Sequence, residues 1–103
     1  MVTLTRSAIE AMAPDQGALS AASALLKPAK WPVRAQSGAL IWGECQGSGA
    51  NPYRVVADTA DIGSKCTCPS RKFPCKHALA LMWMYVDDAA AFNTGDIPSW
   101  VQD

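Results

Sequence analysis

The sequence predicts an α+β fold: N-terminal helices, a small antiparallel β-sheet of about three strands, and a cysteine-rich knuckle followed by an apolar helix. Three observations carry this reading. Alanine-rich stretches with helical spacing fill the first 30 residues, and short β-branched or aromatic runs broken by Gly and Pro follow them. Beyond these, Lys76 opens an apolar stretch without a polar face. With 103 residues, half of them apolar and 17% charged, the composition is that of a folded domain and not of a disordered chain.

Residues 5–12 read as a first helix with Thr5 as its N-cap, broken by Ala13-Pro14-Asp15. A second helix is expected over residues 15–26, with Ala18, Leu19, Ala22, Leu25 and Leu26 on one face. Lys27-Pro28 ends it, because a residue ahead of proline is pushed out of the helical region. Residues 1–30 thus form an N-terminal helical segment.

From Trp31-Pro32 the pattern changes. Residues 33–36, 40–46 and 53–58 read as strands of an antiparallel meander. Ser37-Gly38, Gly47-Ser48-Gly49 and Asn51-Pro52 punctuate them. A last helix is expected from Lys76 to about residue 88 or 91. Being apolar all round, it must be buried all round. Either the N-terminal helices wrap it, or part of it meets a partner. Residues 31–91 are then one domain, and 92–103 a C-terminal tail. Its Trp100-Val101 pair marks the start of a further region or a short docking segment.

The chemistry lies between sheet and helix. Cys66-Thr67-Cys68 and Cys75-Lys76-His77 are two ligand pairs separated by six residues, and they use the only histidine and three of the four cysteines. Three thiolates and one imidazole are a standard tetrahedral set for structural zinc. Pro69 stops a strand after the first pair, and Pro74 precedes a helix entry at the second. A helix N-terminus there favours thiolates through its dipole and unpaired amides. One structural Zn2+ on Cys66, Cys68, Cys75 and His77 is therefore expected (metal motif 66–77). Cys45, outside the pattern, reads as a packed small residue.

At these residues the sequence resembles a known family. Cys-x-Cys, a spacer, then Cys-x-His at a helix start is the pattern of the SWIM zinc finger. The stretch Cys66-Thr-Cys-Pro-Ser-Arg-Lys-Phe-Pro-Cys-Lys-His-Ala-Leu-Ala-Leu81 is similar to that of bacterial members. Leu40-Ile-Trp-Gly-Glu-Cys-Gln-Gly-Ser-Gly49 and Asn51-Pro-Tyr53 resemble the segment ahead of the finger. The resemblance implies a strand–strand–helix finger and a role in binding proteins or DNA.

Charge narrows the function classes. Nine basic and nine acidic residues cancel, so no global polyanion footprint exists. Locally, Lys65, Arg71, Lys72 and Lys76 surround the ligands without an acid among them, whereas every charged residue after His77 is acidic. The cations offset the thiolates, and Arg71, Lys72, Phe73 and Lys76 are the candidate contact surface. The expected function is an interaction module with a protein partner. Its alternative is a nucleic-acid-binding finger that uses the Arg71/Lys72/Phe73 loop.

With His77 committed to the metal, no histidine remains for general-base work, and four protein ligands leave a closed site. No enzyme and no small-molecule substrate are expected. No run approaches the roughly 18 apolar residues of a membrane span. The first residues carry Arg6, Glu10 and Asp15 where a leader would be continuously apolar, which points to the cytoplasm.

Overall fold

The computed structural model describes residues 5–46, 52–60, 63–67 and 75–102, without the side chains of Pro28 and Gln102. In chain order the elements are α1 (Arg6–Met12), α2 (Gln16–Ser23), a 3-10 turn (Pro28–Lys30), β1 (Val33–Ser37), β2 (Leu40–Cys45), β3 (Tyr53–Asp58) and β4 (Ser64–Cys66). These are followed by α3 (Lys76–Asp87), a second 3-10 turn (Ala89–Ala91), β5 (Asn93–Thr94) and α4 (Ser99–Gln102).

The fold is α+β. Side-chain caps start both N-terminal helices: Thr5 Oγ1 accepts from the Ala8 amide at 3.1 Å, and Asp15 Oδ1 from the Ala18 amide at 2.7 Å. After Ser23 the chain tightens, with the Leu25 and Leu26 amides bonding to the carbonyls of Ala22 and Ser23. The turn leaves the Leu25 carbonyl to accept the Trp31 indole N–H at 2.9 Å, which ties α2 to the entry of the sheet. This is why α2 stops short of residue 26.

The sheet is larger than the sequence predicts. Five strands lie in the order β4-β3-β2-β1-β5, where about three were expected. It is also mixed and not purely antiparallel, because β5 runs parallel to β1 through Ala35↔Asn93 and Gln36↔Thr94. The two extra strands are only three and two residues long, too short to show alternation. Long-range pairing makes them. The Gln36 side-chain amide donates to the carbonyls of Ala89 and Phe92, each at 3.0 Å, and holds the chain beside β1 as it enters β5. Between β1 and β2, Ser37 pairs with Leu40, and Gly38 adopts φ 59°, the left-handed conformation such a tight turn favours.

Alternation gives the sheet two apolar faces. On the inner face Ile41, Cys45, Val55 and Ala57 join the main core with Leu79, Leu81 and Met82 of α3, Ile9 of α1, and Ala18 and Ala22 of α2. Every residue of α3 from His77 to Met84 is buried. The open question about the apolar helix is thereby answered within the chain: α1, α2 and the sheet cover it. On the outer face Trp42 and Val56 form a second cluster with Val101, against which Ile97 and Trp100 pack. The C-terminal segment thus closes the far side of the sheet, and the Arg54 guanidinium lies 5.5 Å from the Trp100 ring centroid.

Candidate metal centre

Two elements bring the described donors together. Cys66 is the last residue of β4 and stands opposite Val55 of β3. Beyond it, Thr67 stays locked to β3. Its amide donates to the Arg54 carbonyl at 3.1 Å, and its Oγ1 accepts from the Arg54 amide at 2.9 Å. Cys75 is the N-cap of α3, in extended conformation, and its carbonyl accepts the Leu79 amide at 3.0 Å. His77 follows in the first turn and is only 5% exposed.

Their ligand atoms converge. Cys75 Sγ lies 4.0 Å from His77 Nδ1. The donor atoms of Cys66, Cys75 and His77 all lie within 4.8 Å of one another. In a tetrahedral zinc centre with bonds of about 2.0–2.3 Å, neighbouring donors stand roughly 3.5–3.8 Å apart. The three atoms are within about an ångström of that spacing. Two sulfurs and an imidazole suit a borderline-soft cation such as zinc and not calcium or magnesium, which take oxygen. The donor set fits the metal.

Cys68, Arg71, Lys72 and Phe73 lie outside the described residues. Of the predicted contact residues, Lys76 is the one described, exposed at the first position of α3. Its charge sits at the positive end of the helix, while Asp87 closes the negative end. Both placements oppose the dipole preference. Helix stability therefore gives no reason for Lys76, whereas a thiolate cluster beside it does.

Cys45 behaves differently from the donors. Fully buried on β2, it is outside the converging group. Its Sγ donates to the Gln46 carbonyl at 3.7 Å. Burial pushes its thiol above the usual cysteine range; Lys30 and Lys76 partly offset this, and Cys75 adds to it. Buried in the main core, Cys45 is a packing residue.

One neighbour of the donors was not singled out by sequence reasoning. The Tyr53 ring lies 4.8 Å from the His77 ring, centroid to centroid, at an interplanar angle of 49°. Strand alternation is the signal that could have found it: Tyr53 shares a face with Val55 and Ala57, which point at α3.

The geometry coincides with a match in sequence. The family model of the SWIM zinc finger matches residues 53–86. Over those residues, about a third of its length, the chain is similar to a SWIM zinc finger. Its span runs from the first residue of β3, through the Cys66 edge strand, to the penultimate residue of α3. The SWIM segment contributes the three described donors, and the match implies zinc as their metal. The flanking helices and β1–β2 lie outside the matched span and supply much of the core against which the finger packs. No curated protein and no solved structure matches the chain. Among the described residues, no helix is long and apolar enough to cross a membrane.

Proposed function

We propose that the chain is a non-enzymatic interaction module, organised by one structural zinc ion on Cys66, Cys68, Cys75 and His77 and acting on a protein partner. The observation that supports this best is the convergence of buried Cys75 and His77 with Cys66 at the start of a helix that is buried from His77 to Met84. A metal there joins the edge strand β4 to α3, so that one ion fixes the surface between them. The role is structural, because His77 is the only histidine of the chain and four protein ligands leave no open coordination position.

A protein partner suits the electrostatics. The chain has no net charge, and among the described residues the exposed cations next to the donors in sequence are Lys65 and Lys76. Such a patch complements an acidic protein surface without the excess charge that a polyanion needs. The second reading is DNA binding, favoured by the position of Lys65 and Lys76 beside the ligands, with Arg71, Lys72 and Phe73 between them in sequence.

A salt-titrated binding assay with single- and double-stranded DNA separates the two. The protein-partner reading predicts affinity weaker than about 10⁻⁴ M at physiological salt, below ordinary non-specific binding. Micromolar binding that falls steeply as salt rises, and that is lost on Lys65→Ala/Lys76→Ala, would replace it with the DNA reading.

A further inference from the structure

We infer that Tyr53 is a positioning residue for the metal centre, holding the His77 imidazole in its ligating orientation and slowing loss of the ion. The inference rests on the proposed zinc reading and adds a residue to it. Tyr53 opens β3 directly opposite Cys45, on the sheet face that meets α3. Its ring packs tilted against His77 at 4.8 Å, while Nδ1 of the same imidazole faces Cys75 Sγ.

Release of an ion from a histidine requires the ring to swing away from the metal. A rigid aromatic neighbour packed against that ring restricts the swing. Tyr53 is half-buried and His77 is buried, so the phenol also covers a ring that would otherwise meet water. The His77 backbone is fixed independently by the first turn of α3, where the Leu79 amide bonds to Cys75. Tyr53 therefore acts on the side chain and not on the path of the chain. Ring packing is its contribution, and a phenylalanine would do the same.

The test is the rate at which zinc passes from the purified, zinc-loaded chain to a chromogenic chelator, with the visible spectrum of the cobalt-substituted protein as second readout. Tyr53→Ala should release zinc roughly 3- to 10-fold faster, the factor expected from losing an aromatic pair of ordinary strength. Its tetrahedral cobalt bands should shift or broaden. Tyr53→Phe should match the parent in both readouts. Ile41→Val, a mild truncation at a fully buried position on the same sheet face, reports general loosening of the core. Parental release from Tyr53→Ala would overturn the inference, as would equal acceleration by Ile41→Val or failure of Tyr53→Phe to restore the rate. A parent that carries no stoichiometric zinc would remove the zinc reading itself, and the inference with it.

Discussion

Cys75→Ser is expected to abolish zinc retention and with it the cooperative folding of the chain. A serine hydroxyl is not ionised near neutral pH and does not replace a thiolate on zinc. Structural zinc sites contribute on the order of 10 kcal/mol, while the whole net stability of a domain is about 5–15 kcal/mol. Loss of the site is therefore comparable with loss of the fold. Cys75 is an especially exacting place for it. The residue is the N-cap of α3, belongs to the main core, and adjoins the helix that packs on β2 and β3.

Circular dichroism during heating, in buffer containing zinc, should show a sigmoidal transition for the parent and none for Cys75→Ser. His77→Ala should behave alike. Cys45→Ala is the matched control: an equally buried thiol outside the donor group, whose loss should cost about 1–2 kcal/mol and leave zinc in place. A Cys75→Ser protein that melts within a few degrees of the parent would show that the site carries no folding energy.

Leu81→Ala should be the most damaging truncation in the core, costing about 3–4 kcal/mol and lowering the melting temperature by roughly 15–25 °C. The reason lies across the interface, on β2. Gly43 has no side chain there, and a Cβ built on it would stand 3.1 Å from Leu81 Cδ1, 3.1 Å from Trp31 Cε3 and 2.7 Å from the Val33 carbonyl oxygen. Leu81 thus fills the space that any other residue at position 43 would need. Removing its branch leaves a void bordered by strand backbone and by Trp31, which its own indole bond to Leu25 holds in place. Such walls do not collapse inward, so the cost sits in the upper part of the usual range for leucine truncation. Thermal melts of the zinc-loaded protein measure it. A loss below about 1 kcal/mol would mean that α3 is not seated on β2 at Gly43.

These two sites show what the sequence makes legible and what it does not. The ligand pairs are short-range patterns, and their chemistry constrains them so tightly that spacing alone identifies Cys66, Cys75 and His77 as a converging group. The burial of α3 is equally local information, since ten consecutive residues from His77 to Val86 offer no polar side. What covers that helix is not local. Ile9, Ala18 and Ala22 look like ordinary amphipathic positions, and nothing in their spacing tells whether they meet α3 or another chain.

The sheet edges escaped for the same reason. Ser64-Lys65-Cys66 contains no β-branched residue and becomes a strand because the register of β3 places Cys66 beside Val55. Asn93-Thr94 has strong turn character, and it is held to β1 by a glutamine more than fifty residues earlier in the chain. The outer face taught a similar lesson: Trp42 and Val56 alternate with inward residues, but the segment that covers them, Ile97 to Val101, arrives from the end of the chain. Elements fixed by propensity and ligand chemistry can be read from sequence, whereas elements fixed by a distant partner need the structure.

Native mass spectrometry of the purified chain, before and after exhaustive chelation and paired with a melt of each sample, tests the central claim most directly. The expected parent mass includes one zinc ion, and the chelated sample should lose both that mass increment and its cooperative transition, regaining them when zinc is returned. A chain that emerges metal-free and melts identically with and without chelator would contradict a zinc-organised fold.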